Sequence, residues 1–213
     1  MFITFEGGEG SGKSSAAVAL ATHIRKTHPD TVLTNDPGGC EIANQIRKVL
    51  LTSKNHNMSQ ATDMLLYQAA RAQLTEEIII PALNKNKIVI CDRYYDSTTV
   101  YQGDANGWDL KILRVLRDLV DAVTPNLTFI LDVDVRIGLK RSFKKASTVD
   151  VDETRYENKD HTFHNTIRNG FLQLAEMHSH LPLTRKFIVI NTDELTLPEV
   201  HQRVIQKYET FIE

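Results

Sequence analysis

Residues 1–15 read MFITFEGGEGSGKSS, a short apolar run followed directly by a glycine-rich stretch. From Gly7 to Ser14 the stretch fits the pattern G-x-x-x-x-G-K-S, which is typical of a phosphate-binding loop between a strand and a helix. Glycines let successive backbone N–H groups converge on phosphate oxygens, and the following helix presents its positive N-terminal end. The opening residues therefore predict a site for the phosphates of a nucleotide.

Individual residues of this loop have expected roles. Lys13 would reach the β and γ phosphates of ATP, and the hydroxyl of Ser14 would ligate Mg²⁺. The other residues predicted to bind ATP are Gly7, Gly8, Glu9, Gly10, Ser11, Gly12 and Ser15. The alternative, a glycine-rich turn that only caps a helix, is disfavoured by the position between a strand and a helical stretch. GTPases usually carry an N/T-K-x-D signature; its nearest match, NTDE at 191–194, lacks the Lys, which favours a kinase.

The rest of the chain alternates between short apolar runs and longer amphipathic stretches. Strands are predicted at 2–5, 31–34, 87–91, 127–131 and 187–190. Helices are predicted at 13–26, 59–83, 109–123, 135–146, 161–178 and 197–212. Runs without clean polar alternation are expected for strands buried on both faces of a parallel sheet. The pattern predicts an α/β doubly wound fold in one domain, residues 1–213, with the polar stretch 144–162 as a lid.

Composition narrows the class of protein. The chain has 213 residues, 41% of them hydrophobic and 24% charged, and a formal net charge of −2. This composition is typical of a globular domain. The small net charge produces no strong electrostatic attraction to nucleic acid or to an anionic membrane. No apolar stretch approaches the roughly 20 residues of a membrane span. The chain has two cysteines, Cys40 and Cys91, which suits a reducing compartment, and a cytoplasmic protein is expected. A single disulfide between the two cysteines is the alternative that the sequence leaves open.

A second phosphate site is predicted in KIVICDRYYDSTTVYQG, residues 87–103. An apolar strand ends there in Asp92 and Arg93, at the edge of an α/β sheet where ligands gather. Asp92 is placed to help hold Mg²⁺, and the planar guanidinium of Arg93 suits a phosphate group. A surface ion pair is the alternative for two such neighbours. The preceding phosphate loop favours the functional interpretation.

At this point the chain resembles the bacterial-type thymidylate kinases. The resemblance rests on FITFEGGEGSGKSS, NDPGGCEIANQIRKVLL, LLYQAARAQL, CDRYYDSTTVYQG, LDVDVRIGLKR and RYE, in register over nearly the whole chain. It implies the three-layer P-loop NTPase fold, with helices on both sides of a five-stranded parallel sheet. It also implies Mg²⁺-dependent transfer of the ATP γ-phosphoryl group to dTMP, giving dTDP and ADP for dTTP synthesis, and a homodimer.

The resemblance also assigns residues to dTMP. Arg93 and Arg47 would hold its phosphate, Tyr67 would stack on thymine, and Arg71 would hydrogen-bond the base. The remaining matches are Thr98 and Gln102 at the base, Tyr101 at the sugar 2′ position, Glu9 near the 3′-OH and Asp36 in the DPGG turn. Tyr67 and Arg71 are four residues apart, so they share one helix face.

The catalytic set implied by the resemblance is Lys13, Asp92, Arg93 and Arg155. Thymidylate kinases carry a further catalytic arginine either in the phosphate loop or in the lid. This loop has none, which assigns that role to Arg155, and Arg141 matches an arginine near the adenine. The acceptor phosphate has a second pKa near ~6, so it needs no strong base and no covalent nucleophile. Positioning and charge stabilisation would carry the reaction.

The chain departs from the family pattern at four points, and alternatives stay open. Asp36 replaces a glutamate, KKASTVDVD replaces the usual Arg-Gly-rich lid entrance, and two asparagines replace arginines. Asn35 stands where bacterial members have an arginine, and Asn106 where an arginine is frequent. A deoxynucleoside monophosphate kinase of other or broader base specificity is the first alternative. A P-loop switch without kinase activity is the second. A nucleoside kinase would need a general base at the sugar hydroxyl, whereas two arginines are predicted at an acceptor phosphate.

Overall fold

The sheet of the protein, seen in a computed structural model, has five parallel strands. The structure describes residues 1–120, 122–146, 155–179 and 185–213. The strands are β1 Phe2–Glu6, β2 Val32–Asn35, β3 Val89–Asp92, β4 Leu127–Asp132 and β5 Lys186–Asn191. Their order is β2-β3-β1-β4-β5, and each neighbouring pair is parallel. The predicted strands and the α/β fold class are confirmed.

Helices connect the strands. They are α1 Lys13–Ile24, α2 Glu41–Leu51, α3 Gln60–Leu74, α4 Ile80–Asn84, α5 Tyr95–Thr98, α6 Leu110–Leu119, α7 Val135–Ala146, α8 His161–Ser179 and α9 Leu197–Ile212. A π-helical stretch, Thr75–Ile79, joins α3 to α4, and a second one, Thr99–Ala105, continues α5. A single 3₁₀ turn, Ser53–Asn55, follows α2. The six predicted helical stretches are confirmed, whereas α2 and the helical segment from α5 through Ala105 were not among them.

The core lies on both faces of the sheet. Every residue of β1 and of β4 is buried, which explains why these runs lack polar alternation. Phe5 stacks on Phe129 across the two strands, with ring centroids 5.1 Å apart. The edge strand β5 differs, since only Ile190 in it is fully buried. The central strands therefore provide the rigid frame on which the loops at their carboxyl ends are mounted.

Strand register places the two predicted phosphate segments side by side. Phe5 of β1 is paired with Asp92 of β3, so the phosphate loop after β1 and the DRY segment after β3 leave the sheet at one edge. The N–H of Arg93 donates to the carbonyl of Phe5 at 2.9 Å and extends this pairing by one residue. The carboxyl edge of β1 and β3 is therefore where a phosphate donor and acceptor can meet.

Three smaller findings complete the description. Cys40 and Cys91 are both buried free thiols, so they form no disulfide with each other. Over the described ranges, no helix is both long and apolar enough to cross a bilayer. Of the predicted lid, 144–162, residues 147–154 lie outside the described part of the chain, which resumes in a turn at Arg155.

Candidate active site

The phosphate loop is shaped by glycine at two points. Gly10 and Gly12 have φ of 69° and 94°, a backbone region that side-chain-bearing residues rarely adopt. A Cβ on Gly10 would lie 1.9 Å from the carbonyl oxygen of Gly138, so the loop packs backbone to backbone against α7. Gly12 is the N-cap residue of α1, whose first turn therefore opens toward the loop. The free N–H groups of this turn suit an anionic phosphate.

Lys13 is folded back over this loop. Its Nζ donates to the carbonyl of Gly8 at 2.6 Å and lies 3.3 Å from the hydroxyl of Ser11. Burial, together with the nearby charge of Arg93, lowers the pKa of Lys13 to about 8. Glu9, Asp92 and Glu6 raise the pKa of Lys13 but do not offset its burial, so further negative charge beside the ammonium would stabilise it. A bound polyphosphate would supply that charge.

Arg93 joins the two phosphate segments. Its backbone has φ of 65°, an uncommon value for a residue with a side chain, and indicates a conformation held by its surroundings. The guanidinium donates to the carbonyl of Gly7 at 3.1 Å and to Glu9 Oε1 at 3.0 Å. It also lies over the ring of Tyr101, 5.1 Å from the centroid. Arg93 thus points at the phosphate loop, as predicted for a residue that grips a phosphate there.

Glu9 is a buried carboxylate surrounded by donors. Tyr101 donates its hydroxyl proton to Glu9 Oε1 at 2.6 Å, and His164 Nδ1 lies 3.6 Å from Oε2. Burial alone would raise the pKa of Glu9, but His164 and the charges of Arg93 and Lys13 outweigh it and hold the pKa below its usual range. Glu9 is therefore an ionised acceptor, which suits a hydrogen bond from a sugar hydroxyl and not the role of a base.

Arg71 is fixed in the floor of the site. Its side chain is 1% exposed, and Nε donates to Asp36 Oδ2 at 2.6 Å. Further bonds run from Nη1 to Thr98 Oγ1 and Gln68 Oε1, and from Nη2 to the carbonyl of Tyr94. A guanidinium has five N–H donors, so the described contacts leave one on Nη2. The bond to Nε means that Asp36 orients Arg71. The other carboxylate oxygen of Asp36, Oδ1, is buried without a hydrogen-bond partner among the described residues.

Aromatic rings form a pocket next to Arg71. Tyr67 of α3 faces Tyr156, with ring centroids 6.5 Å apart, and Tyr156 packs edge-on against Tyr101 at 5.4 Å. Gln102, from the π-helical stretch after α5, donates its Nε2 to Asp63 at 2.8 Å. The predicted stacking residue and both predicted base contacts, Thr98 and Gln102, thus lie around one pocket.

One cavity of about 920 Å³ connects these parts. Its donor end is lined by the phosphate loop and by Arg141, Leu195, Leu197 and Val200. Its acceptor end is lined by Asn35, Asp36, Arg47, Tyr67, Arg71, Arg93, Thr98, Tyr101, Gln102, Tyr156 and Glu157. A volume of this size is typical of a ligand site, and here a phosphate-binding loop opens into a pocket lined by aromatic and cationic side chains.

The residues around Asp92 fit a magnesium ion. Asp92 Oδ1 is buried and has no hydrogen-bond partner among the described residues, although such an oxygen normally has one. Ser14 is exposed at the start of α1 and lines the same cavity. Among the described residues, no group of three or more His, Cys, Asp and Glu side chains could hold a metal. A Mg²⁺ ion at Asp92 and Ser14 would be held by these side chains together with substrate phosphates and water.

Two further arginines lie near the two ends of the cavity. Arg141 donates to the carbonyls of Thr192 and Asp193 at 3.1 and 3.0 Å, beside the apolar lining residues Leu195 and Leu197. The contact of Arg141 to adenine that the resemblance implies stays a prediction. Arg47 donates to the carbonyl of Pro37 at 2.8 Å and lines the acceptor end.

Arg155, the fourth predicted catalytic residue, is engaged in an ion pair with Asp63. Its guanidinium donates to Asp63 Oδ1 at 2.5 Å and to the carbonyl of Leu50 at 2.6 Å, and its side chain is 9% exposed. Among the described residues, Arg155 is absent from the lining of the cavity, whereas Tyr156 and Glu157 belong to it. For a catalytic role, Arg155 would have to leave this ion pair.

Sequence reasoning missed three buried polar residues that organise the site. Glu6 accepts hydrogen bonds from the N–H of Tyr94 and the hydroxyl of Ser97. Its burial, and to a smaller extent the nearby charge of Asp96, raise the pKa of Glu6 to about 8. The other two are Asp63 and His164, which contact the predicted residues Gln102 and Glu9. Asp63 carried a usable signal, because it lies four residues before Tyr67 and thus on the same face of α3.

Comparisons with known proteins agree with this geometry. A family model described as thymidylate kinase matches residues 5–204. A thymidylate kinase of Wolbachia pipientis wMel is 38% identical over 97% of this chain and 99% of its own. A thymidylate kinase of Geotalea uraniireducens strain Rf4 is 45% identical over 82% of this chain and 83% of its own. Among solved structures, thymidylate kinase from Ehrlichia chaffeensis has a TM-score of 0.77 and 32% identity, covering 98% of each chain.

Proposed function

Because the chain belongs to the thymidylate kinase family, we propose that it transfers the γ-phosphoryl group of ATP to the phosphate of dTMP, giving dTDP and ADP. The observation that carries the proposal is the single cavity in which the phosphate loop and the pocket of Arg71, Tyr67 and Arg93 face one another. One ligand phosphate at each end would place donor and acceptor for direct transfer.

At the donor end, the loop would bind the triphosphate through backbone N–H groups, with Lys13 beside its outer phosphates. Asp92 and Ser14 would hold Mg²⁺, which when bound neutralises the charge that develops on the transferred group. The side chain of Arg141 would lie along the adenine.

At the acceptor end, Arg93 and Arg47 would hold the monophosphate of dTMP. Its phosphate oxygen attacks the γ-phosphorus and the ADP oxygen leaves, so no proton has to be removed from an acceptor that is already ionised. Glu9 would accept a hydrogen bond from the 3′-hydroxyl of the sugar. The ring of Tyr101 would occupy the space beside the 2′ position. Tyr67 would stack on thymine, while the remaining N–H of Arg71 would donate to a carbonyl of the base.

The catalytic role that the resemblance implies for Arg155 stays a prediction, as do the homodimer and the cytoplasmic location. The same holds for strict preference for thymine over other bases. Asn35, at one departure from the family pattern, donates to the carbonyl of Pro37 at 2.9 Å, and thus shapes the turn that carries Asp36.

The proposal is tested by kinetics on the purified full chain with ATP and Mg²⁺. The acceptors are dTMP, dUMP, dCMP, dGMP and dAMP, and both ADP release and the diphosphate product are measured. We expect the highest kcat/KM for dTMP. The Lys13→Ala variant, prepared in the same way, measures any contaminating host kinase. Absence of dTDP with the wild-type chain would refute the proposal, and equal kcat/KM for dTMP, dCMP and dGMP would refute thymidylate specificity.

A further inference from the structure

Asp63 is a buried carboxylate to which the proposed reaction assigns no role. It lies in the first turn of α3, is 2% exposed, and shares a helix face with Tyr67 and Arg71. Both of its oxygens are used. Oδ1 accepts from Arg155 at 2.5 Å, Oδ2 accepts from Gln102 at 2.8 Å, and the hydroxyl of Tyr156 lies 3.2 Å from each. Asp63 therefore ties α3 to two other segments of the acceptor pocket.

The contact between Asp63 and Gln102 determines which way the side-chain amide points. An ionised carboxylate only accepts hydrogen bonds, whereas an amide donates through Nε2 and accepts through Oε1. Asp63 is an acceptor in its ion pair with Arg155, and Gln102 turns Nε2 rather than Oε1 toward it. Its Oε1 then faces away from Asp63, and no donor among the described residues is bonded to it. Because Gln102 is 1% exposed and lines the cavity, the group it offers there is an acceptor.

An acceptor at this place discriminates between pyrimidines. Thymine and uracil carry a hydrogen on N3 and can donate it to Oε1, whereas N3 of cytosine is itself an acceptor. Two acceptors facing each other leave buried polar groups unpaired, which costs much more than the loss of one apolar contact. The orientation of the amide therefore decides whether the pocket favours thymine or cytosine at this position.

We propose that Asp63 is a positioning residue for base specificity: it holds the Gln102 amide with its carbonyl oxygen toward the base, so that the pocket selects N3–H pyrimidines against cytosine. This inference rests on the proposed function, and it adds a residue that acts through another one. Arg155 contributes by fixing the orientation of Asp63 through the bond to its Oδ1.

The substitution Asp63→Asn tests the proposal with a nearly isosteric side chain. Its Oδ1 would stay with the cation of Arg155, because an amide nitrogen there would face a second donor. Its Nδ2 would then face Gln102, which has to rotate and present Oε1 to Asn and Nε2 to the base. The pocket would offer a donor, which suits N3 of cytosine. Arg71 is unaltered in this variant and still favours a base with a carbonyl group next to it. The preference for dTMP over dCMP should therefore fall without reversing.

The measured quantity is kcat/KM for dTMP, dUMP and dCMP. In Asp63→Asn we expect the dTMP to dCMP ratio to fall about tenfold or more, chiefly through KM for dTMP. The dTMP to dUMP ratio should stay within a factor of about two, because both bases carry N3–H; a merely structural role would not separate the two ratios. Asp30→Asn, at an exposed aspartate paired with Lys87, is the matched control and should change neither ratio.

Gln102→Leu provides the second variant and keeps the proposal testable if Asp63→Asn fails to fold. It should raise KM for dTMP and dUMP alike and change that for dCMP little. In the double variant, Asp63→Asn should no longer alter the dTMP to dCMP ratio, since the group it acts through is gone. Equal losses on all three substrates, or an effect of Asp63→Asn that persists in the Gln102→Leu background, would overturn the proposal. Absence of dTDP formation by the wild-type chain would instead overturn the proposed function.

Discussion

The two ends of the cavity are built by different means. The donor end consists mainly of one continuous loop, Gly7 to Ser15, whose backbone N–H groups and glycine conformations make the binding surface. The acceptor end is assembled from side chains of the turn after β2, of α2, of α3, of the segment after β3 and of residues 156–157. Phosphate groups are alike in all nucleotides, so a general surface suffices there. A particular base requires side chains of chosen shape and hydrogen-bonding polarity.

The largest expected effect on activity comes from a substitution at the donor end. Lys13→Ala removes the buried ammonium next to the outer phosphates, and we expect kcat to fall on the order of 10³-fold. Steady-state kinetics with ATP and dTMP measures it. Lys26→Ala, at an exposed lysine after α1, is the control for loss of a positive charge and should leave kcat unchanged. A Lys13→Ala variant within tenfold of wild type would show that the loop alone provides the stabilisation.

A second substitution asks whether the two ends are independent. Arg93→Ala should lower kcat/KM for dTMP about 10²-fold or more, because a charge-assisted contact to phosphate is lost. Arg93 also donates to the carbonyl of Gly7 and to Glu9 in the loop. KM for ATP should therefore rise in the same variant. Arg93→Lys should restore little, since a lysine lacks the planar fork that serves both contacts. An unchanged KM for ATP would show that Arg93 belongs to the acceptor end alone.

A third substitution, Arg155→Ala, sharpens the account of the acceptor end. The structure holds Arg155 on Asp63 and Leu50, so we expect KM for dTMP to rise several-fold and kcat to fall less than about tenfold. The catalytic role implied by the family resemblance predicts the opposite split. In that case kcat falls at least ~10²-fold with little change in KM. Measuring both constants separates the two, with circular dichroism and a melting temperature as the control for folding.

The contrast between the two ends also explains how much could be predicted from the sequence. The phosphate loop is local, because every group it needs lies between Gly7 and Ser15, so its motif was enough. The strands were predicted within two residues of their observed bounds because burial on both faces leaves apolar, β-branched runs. The roles of Arg47, Tyr67 and Arg71 came from the family resemblance, since no local pattern marks a base pocket.

What could not be predicted is long-range or conformational. The bonds of Arg71 to Asp36, of Asp63 to Gln102 and of Arg93 to Glu9 join residues 35, 39 and 84 positions apart. A single sequence carries no record of such pairings. The positive φ of Arg93 and the π-helical stretch Thr99–Ala105 also depend on the surrounding contacts rather than on local propensity. The family resemblance assigned Arg155 to the lid, whereas its ion pair with Asp63 depends on how the chain returns to α3.

The smallest expected effect concerns the charge of Lys13 in the free protein. Burial and Arg93 lower its pKa to about 8, so near pH 8 about half of the molecules carry a neutral lysine. A bound triphosphate brings negative charge next to Nζ and raises that pKa. Binding of ATP should therefore take up close to half a proton near pH 8 and almost none at pH 6.5.

Isothermal titration in buffers of different ionisation enthalpy measures this uptake, because the apparent binding enthalpy then depends on the buffer. The affinity for ATP should weaken as the pH rises above 8, since the free protein must first gain a proton. The acceptor end provides the comparison within the same molecule. Arg93 has a raised pKa and stays charged throughout, so the arginines of this end should take up no protons when dTMP binds. Protons released by the monophosphate itself, which has a second pKa near ~6, are negligible at pH 8. Buffer-independent ATP binding at pH 8 would mean that the contacts of Lys13 to the loop keep it fully charged. The donor end would then be preorganised for phosphate before any nucleotide arrives.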